Sequence, residues 1–271
     1  MAITTFQKEI CRLISSNRIE KGESYVAGGV ALNTLIEAPR ISRDIDLFHD
    51  THEALETTLD SDKKLLQASN YNIEFIRERA SYVEAIVRKK DENVLMQWTC
   101  DSAFRFFPLL KNDEFGMTLH PFDLATNKVL ALVGRLEIRD WVDMIHCHQR
   151  IQKIGYLMWA ACQKDPGLNP LLILEEAKRS SHYSAEDLNE LSFEGNIPDI
   201  SKLSIEWKLM LNEAGSLLTL LPSEDAGKCV LSMANNLYRG TPDQLNFDLK
   251  QEKIHFHCGS IRGAFPEILK R

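Results

Sequence analysis

The chain has 271 residues and a mass of 31.0 kDa, with 44% apolar and 26% charged residues, which is typical of a globular protein with one large or two modest domains. The net charge of −7 argues against nucleic-acid binding driven by a broadly basic surface. Because no apolar run approaches the roughly 18 residues that span a bilayer, and the N-terminal segment has no apolar signal core, we expect a soluble cytoplasmic protein without membrane contact.

The first half of the chain alternates between helical and strand-like patterns. Apolar residues recur at helical spacing near the N-terminus, and period-two alternation dominates later. Thr51 is a candidate helix cap. The predicted elements are a helix over 3–17, a strand over 25–27, a helix over 30–37, a strand over 44–48, a helix over 51–69, and strands over 71–80, 82–90 and 93–100.

From about residue 121 the pattern becomes mainly helical. Helices are predicted over 123–136, 140–151, 156–164, 171–180 and 184–192. The final segment, 245–269, contains alternation that predicts a short hairpin at its end. We therefore predict an α+β fold in which 1–120 form a mixed sheet with flanking helices and 121–271 form a mainly helical C-terminal domain.

Asp44 and Asp46 lie two residues apart in the predicted strand 44–48. Side chains at i and i+2 project from the same face of a strand, roughly 6 to 7 Å apart. Two carboxylates on a half-buried face repel each other unless a cation lies between them. Hard oxygen ligands favour Mg²⁺, with substrate phosphates completing its coordination. The alternative reading is a solvated strand end with no function.

Gly28 and Gly29 lie between a predicted strand and a predicted helix. Glycines at this place let backbone N–H groups approach a phosphate, and the helix dipole adds to the attraction. A plain tight turn is the alternative. A phosphate cradle followed by a pair of metal-binding carboxylates is the order expected of a nucleotide site.

These residues carry a resemblance to a known family. The glycine pair, a helix and RISRDIDLF at 40–48 resemble the GG…DxD signature of the DNA polymerase beta-like nucleotidyltransferase superfamily, and the whole of 28–50 is similar to the AbiEii/AbiGii toxin-type nucleotidyltransferases. The segment 123–145 resembles the same family's lysine helix followed by an RDxxD helix. The resemblance covers about 24–145.

The resemblance implies a role for each matching residue. Lys128 and Asp140 would complete the catalytic site with the two carboxylates, and Asp143, on the same helix face as Asp140, is an open alternative to it. A salt bridge between the two lobes is the alternative explanation for Lys128 and Asp140. The implied nucleotide-binding residues are Gly28, Gly29, Arg40, Ser42 and Lys128, and the implied metal ligands are Asp44 and Asp46.

Two positions depart from the family pattern. Val30 follows the glycine pair where members often carry Ser or Thr, so only backbone groups would be offered to a phosphate. Gln97 stands where a third carboxylate is expected, with Asp101 of the same parity further on. These departures leave two-metal catalysis in doubt and a one-metal or substrate-assisted site open.

The expected function is therefore Mg²⁺-dependent transfer of a nucleoside monophosphate from an NTP to an acceptor hydroxyl. The acceptor can be RNA or tRNA, a protein or a small molecule. The resemblance also implies the toxin of a toxin–antitoxin or phage-defence system, with an antitoxin protein as partner. The alternative is a catalytically silent module of the same fold that binds nucleotide or protein.

Overall fold

The computed structural model describes residues 3–267, apart from the side chain of Lys21. Within this range no helix has the length and apolar character needed to cross a membrane. The strands are β1 (Ser24–Ala27), β2 (Arg40–Ile41), β3 (Asp44–His49), β4 (Asn72–Arg79), β5 (Tyr82–Lys89), β6 (Glu92–Cys100), β7 (Phe104–Arg105), β8 (Leu110–Asn112), β9 (Gly116–Thr118), β10 (Ser192–Phe193), β11 (Cys229–Ser232), β12 (Ile254–His257) and β13 (Ser260–Ile261).

The helices lie mainly in the second half of the chain, as the sequence predicts. They are α1 (Thr5–Lys21), α2 (Gly28–Leu35), α3 (His52–Ala68), α4 (Pro121–Arg135), α5 (Ile138–Arg150), α6 (Ile154–Ala161), α7 (Pro170–Lys178), α8 (Ala185–Asn189), α9 (Ile200–Leu220) and α10 (Pro242–Lys250). Two single 3-10 turns follow α6 and α9.

The chain divides into two compact units. The first comprises Met1–Ala103 and Leu109–His120, and the second comprises Phe104–Pro108 and Pro121–Arg271. The predicted fold class is confirmed, because a mixed sheet with flanking helices is combined with a mainly helical part. The assignment of 1–120 and 121–271 as separate domains stays a prediction.

A seven-stranded mixed sheet, in the order β4-β5-β6-β3-β1-β9-β8, is the centre of the first unit. Its β3 pairs antiparallel with β1 and parallel with β6. Along β3 the burial alternates, so that Ile45, Leu47 and His49 are buried while Asp44 and Asp46 are half-buried on the opposite face. The sequence alternation thus selects the face on which the carboxylates lie.

A buried ion pair joins the two helices that pack on the apolar face of this sheet. Arg18 of α1 donates to Asp62 of α3 at 2.5 Å, and neither side chain is exposed. Asp62 also accepts hydrogen bonds from Trp98 Nε1 of β6 at 2.9 Å and from Asn17 at 2.7 Å. Arg18 Nε donates to Ser24 Oγ at 3.0 Å. The charges are therefore paired and hydrogen-bonded, which a buried ion pair requires.

In the second unit, the buried carboxylate of Asp123 is hydrogen-bonded to segment 104–108, which precedes β8 and β9 in the chain. Asp123 of α4 accepts hydrogen bonds from the backbone N–H groups of Phe106 and Phe107, at 2.8 and 3.0 Å. Lys164 Nζ lies 2.9 Å from the same carboxylate. These contacts explain why residues 104–108 belong to the second unit.

The predicted C-terminal hairpin is wrong for the part of 245–269 that the structure describes. β12 pairs antiparallel with β11, and β13 pairs antiparallel with β7, so neither strand pairs with the other. The alternation was real, but the pairing partners lie far away in the sequence. Residues 268 and 269 of that segment lie outside the described range.

Replacing Asp62 by alanine should destabilise the protein by about 3–5 kcal/mol, because Arg18 would keep its charge in the core without a partner. The matched control is Asp60→Ala on the same helix, which removes the exposed i,i+4 pair with Lys64 and should cost less than about 1 kcal/mol. Urea unfolding followed by tryptophan fluorescence measures both. Equal effects of the two substitutions would contradict this view of the core.

Candidate functional site

The candidate site lies where the end of β1 and the start of α2 meet the outer face of β3. Ala27, the last residue of β1, is the register partner of Asp46. The chain then turns directly into α2, which begins at Gly28. The antiparallel register therefore places the N-terminus of a helix beside the Asp44 and Asp46 carboxylates.

Gly28 is in contact with Asp46 in a way that admits no side chain. A Cβ atom placed on Gly28 would lie 1.6 Å from Oδ2 and 2.5 Å from Cγ of Asp46. Gly28 also has a φ of +64°, which residues with a Cβ rarely adopt. Both the backbone conformation and the close approach of the carboxylate thus require glycine.

Gly29 makes a corresponding contact with the two residues that precede the DxD strand. Its added Cβ would lie 2.6 Å from Oγ of Ser42 and 2.8 Å from a terminal guanidinium nitrogen of Arg40. Arg40 and Ser42 are both buried. Apart from Lys128, the predicted nucleotide-binding residues therefore converge with the predicted metal ligand Asp46 at the start of one helix.

Two polar side chains that sequence reasoning did not select hold this arrangement. Gln7 completes a capping box with Thr4 at the start of α1, and its Nε2 donates to the carbonyl oxygen of Ser42 at 2.8 Å. Asn33 of α2 donates to the carbonyl oxygen of Arg40 at 3.2 Å. The Thr-x-x-Gln spacing signals the capping box, but nothing local signals a contact with a loop so far along the chain.

The start of α2 has the features of an anion site. Its N-cap residue, Ala27, forms no side-chain capping hydrogen bond, so no side chain of that residue satisfies the first helical N–H groups. Those groups and the helix dipole favour a negatively charged ligand. A phosphate placed here would lie close to Asp46, and this proximity requires a cation between the two negative groups.

The donor set of the DxD pair suits Mg²⁺. Asp44 and Asp46 offer hard carboxylate oxygens from one sheet face, and Mg²⁺ is commonly held by one or two carboxylates together with phosphates and water. Within residues 3–267 no group of three or more His, Cys, Asp or Glu side chains is arranged to hold a metal ion. The residues fit a site that substrate completes, and do not form a closed protein cage.

Next to Asp46 the same sheet face continues with polar residues. Gln97 is the register partner of Asp46, and Glu84 is the register partner of Gln97. Tyr82 donates to Glu84 at 3.1 Å. Asp101, the other acid considered from the sequence, lies beyond the end of β6. Sequence reasoning missed Tyr82 and Glu84, although their period-two spacing signals a shared face.

Lys128 belongs to a second cluster, which lies within the second unit. Its Nζ lies 2.9 Å from Oδ1 of Asp140 and 3.0 Å from Oδ2 of Asp143. Arg135 Nε lies 2.6 Å from Oδ2 of Asp140. Lys128 therefore pairs with both acids that the sequence left as alternatives. The salt bridge that was the alternative explanation for Lys128 and Asp140 is present, but it joins α4 and α5 within one unit and not the two lobes.

The electrostatics of this cluster favour the ionised form of Asp140. Burial by itself would raise the pKa of Asp140, but the Lys128 ammonium and the Arg135 guanidinium outweigh burial and hold the pKa below its usual value. The charges of Lys128 and Arg135 offset those of the two carboxylates, which allows Asp140 and Asp143 to be fully buried. The two acids of the RDxxD motif are thus explained structurally by their ion pairs with Lys128 and Arg135.

Comparison with known proteins supports the fold of the chain. No family model matches it, and no curated protein matches it by sequence. Among solved structures, MenT4, a nucleotidyltransferase toxin from Mycobacterium tuberculosis H37Rv, is similar with a TM-score of 0.52 and 14% identity, over 80% of this chain and 84% of that chain. JHP933 from Helicobacter pylori is similar with a TM-score of 0.49 and 16% identity, over 78% of this chain and 91% of that chain.

The resemblance to nucleotidyltransferases is therefore confirmed for the fold. At these identities the likeness to solved structures carries no residue roles and no substrate.

Gly28→Ala should destabilise the protein more than Gly22→Ala. Both glycines have positive φ, but an added Cβ at Gly22 meets nothing within 4 Å, so Gly22→Ala measures the conformational cost alone, about 1–2 kcal/mol. The contact with Asp46 should add a further 1–3 kcal/mol, on the order typical of overpacking. Denaturant unfolding of both variants tests this. A Gly28→Ala protein as stable as Gly22→Ala would show that Asp46 does not contact Gly28.

Lys128→Met should cost about 3–5 kcal/mol at pH 7, since Asp143 and Asp140 would lose a buried counter-charge. In the native protein the lowered pKa of Asp140 gives stability above its unfolded pKa, and this is lost as the pH falls through the folded pKa. Without Lys128 the folded pKa rises, so the penalty should shrink between pH 7 and pH 4. Unfolding free energies at both pH values measure this.

The control for that substitution is Lys178→Met, which removes an exposed i,i+3 pair with Glu175 and should change stability by less than about 1 kcal/mol at either pH. A penalty for Lys128→Met that does not depend on pH would contradict the assigned network.

Proposed function

We propose that this protein is a Mg²⁺-dependent nucleotidyltransferase that moves a nucleoside monophosphate from an NTP to an acceptor hydroxyl. The observation that carries the proposal is the contact of Gly28 with Asp46 at the start of α2. It brings a predicted phosphate-binding turn within contact of a predicted metal ligand. A tight turn with no ligand would not need a carboxylate at this position.

Each residue of the first unit's site has a task in this proposal. The N–H groups at the start of α2 bind the phosphates of the NTP, with Arg40 and Ser42 placed behind Gly29 to hold the turn and add positive charge. Asp44 and Asp46 would hold the Mg²⁺ ion. When bound there, Mg²⁺ offsets the negative charge of the phosphates and of the pyrophosphate leaving group.

The chemical step is an in-line displacement at the α-phosphorus. A bond forms between the acceptor oxygen and the α-phosphorus, the bond from that phosphorus to its bridging oxygen breaks, and pyrophosphate leaves. The hydroxyl proton passes to solvent or to a base. The protein's contribution is positioning and electrostatics, since these dominate in phosphoryl-type transfer.

The catalytic roles of Lys128 and Asp140 stay predictions from the motif resemblance. Their ion pairs with Arg135 and Asp143 explain their burial without any reference to substrate. We propose that this network fixes the side chain of Lys128, whose charge would then be available to the reaction in a defined place.

The competing proposal is a catalytically silent binding module of the same fold. One of the two sequence features that favour it, Val30, carries less weight once its burial is known. Val30 lacks the hydroxyl that family members often carry after the glycine pair, but the Val30 side chain is fully buried. The side chain at this position therefore packs in the core. Valine in place of serine or threonine thus takes no hydroxyl group away from the protein surface. The absence of a third carboxylate at Gln97 remains the stronger argument for silence.

The biological setting is also a proposal. MenT4 is named a nucleotidyltransferase toxin, and with the AbiEii/AbiGii resemblance this supports a cytoplasmic toxin of a toxin–antitoxin or phage-defence system. An antitoxin protein would be its partner, and RNA, in particular tRNA, would be its acceptor. Protein and small-molecule hydroxyls are the other acceptor classes that the same chemistry serves.

Asp44→Asn and Asp46→Asn should each lower nucleotidyl transfer at least about a hundredfold, because each removes a ligand charge that supplies several kcal/mol of transition-state stabilisation. The assay incubates the protein with each α-³²P-labelled NTP, Mg²⁺ and total cellular RNA and protein, and separates the two fractions on gels. The fraction that carries label identifies the acceptor class.

The matched control is Asp60→Asn, an exposed acid on α3, which should transfer label like the wild type. All variants must melt at the wild-type temperature, so that a loss of transfer is not a loss of fold. Label that persists in both Asp44→Asn and Asp46→Asn would show that transfer does not depend on these carboxylates and would contradict the proposed site. No label from any NTP with the wild type would favour the silent module.

A further inference from the structure

A row of polar side chains crosses three neighbouring strands beside the candidate metal ligands. Asp46 on β3 stands opposite Gln97 on β6, and Gln97 stands opposite Glu84 on β5. Register partners in a sheet project from the same face. Gln97 therefore lies between two carboxylates, one of which belongs to the candidate site.

Glu84 determines which end of the Gln97 amide faces which neighbour. Gln97 Nε2 lies 3.2 Å from Oε1 of Glu84. An ionised carboxylate can only accept hydrogen bonds, so the amide must present its NH₂ group to β5. Its carbonyl oxygen is then directed away from the Glu84 carboxylate. No other hydrogen bond of this amide is formed within the described part of the chain.

Tyr82 holds Glu84 from a second direction. Its hydroxyl donates to the same Oε1 atom at 3.1 Å. Burial, and then the hydrogen bond and the charge of Glu84, raise the pKa of Tyr82 to about 12, so the phenol stays a donor at neutral pH. With two donors on one oxygen, the Glu84 carboxylate is fixed in place.

We infer that Gln97 supplies a neutral third oxygen to the cation held by Asp44 and Asp46, and that Glu84 is the positioning residue that turns this oxygen toward it. The inference rests on the proposed function, because it assumes a cation at the two aspartates. In this arrangement the Gln97 amide takes the place of the third carboxylate. Glu84 on the neighbouring strand β5 sets the orientation of that amide.

The chemistry of the residues suits these roles. Carbonyl oxygens belong to the same class of hard ligand as carboxylates and water. A neutral ligand avoids placing a third negative charge next to Asp44 and Asp46, where like charges already repel. A carboxylate behind a metal ligand orients it and raises its basicity, and removing such a partner typically weakens metal binding about 10–100-fold.

Manganese binding to the 271-residue chain without nucleotide tests the inference. Free Mn²⁺ is measured by electron paramagnetic resonance during titration of the wild type, Gln97→Leu and Glu84→Met. Both variants should bind Mn²⁺ at least about tenfold more weakly than the wild type. The control Glu74→Met removes an exposed acid from the same sheet, where it pairs with Arg88, and should stay within about twofold, because exposed charges are screened.

The double variant Gln97→Leu/Glu84→Met separates positioning from general electrostatics. If Glu84 acts through the amide, its loss should weaken binding no further once Gln97 is gone. A structural or long-range electrostatic role would lower the affinity again in the double variant. That outcome, or wild-type affinity in both single variants, would overturn the inference and leave the proposed function intact.

An exchange variant shows whether weaker Mn²⁺ binding by the single variants results from misfolding or from loss of the ligand oxygen. Glu84→Gln/Gln97→Glu keeps the net charge and the donor–acceptor pair but places the carboxylate beside Asp46, so it should bind Mn²⁺ at least as tightly as the wild type. Binding weaker than that of Gln97→Leu would overturn the inference. A wild type that binds no Mn²⁺ without nucleotide would overturn the inference of a third protein ligand, but it would leave the proposed function intact, because substrate phosphates can complete a site of two carboxylates.

Discussion

The absence of a side chain at Gly28 is the constraint on which the candidate site depends. The carboxylate of Asp46 occupies the space that a Cβ atom would need, and the positive φ of Gly28 lets the chain leave β1 and enter α2 at once. Without that contact the helix N-terminus and the carboxylates would be separate features. With it, the start of α2 and the predicted metal ligand Asp46 share one position, as the proposed binding of a metal-bound phosphate would require.

Charged side chains are arranged differently on the two faces of the sheet. On the buried face, Arg18 and Asp62 neutralise each other and are hydrogen-bonded to their surroundings, so this face is complete without a ligand. On the outer face, Asp44 and Asp46 place two like charges together. A buried ion pair is weak evidence for net stability but is costly to break, and here it fixes α1 and α3 against the strands that present the acids. The buried face thus supports the strands that present Asp44 and Asp46.

Much of the first unit could be predicted because its signals are local. The alternation along β3 and the cap at Thr51, which accepts from the N–H of Ala54 at 3.1 Å, are both readable from neighbouring residues. The glycine pair and the DxD pair could be assigned to one site from their order and from the family resemblance, but their direct contact could not be predicted, because it depends on strand register. The row formed by Gln97 and Glu84 was missed for the same reason, since cross-strand neighbours leave no mark at a fixed spacing.

The limits of prediction from sequence are clearer in the second unit. The helical character was predictable, but the strand pairs that include Ile254–His257 and Ser260–Ile261 have partners far along the chain, and alternation alone does not identify a partner. The longest helix, Ile200–Leu220, was included only in the general prediction of a helical half. Lys128 was singled out by its motif, yet its simultaneous pairing with Asp140 and Asp143 follows from the packing of two helices and not from the i,i+3 spacing of the acids.

The most direct test of the account is to locate a metal-bound nucleotide on the protein. Mn²⁺ with a non-hydrolysable NTP analogue, added to deuterated protein, broadens the backbone amide signals near the ion. If the nucleotide binds as proposed, the signals of residues 28–30 and 44–46 should broaden most, and the broadening should weaken with distance from these residues along the sheet. Broadening centred elsewhere, or no broadening at millimolar analogue, would contradict it.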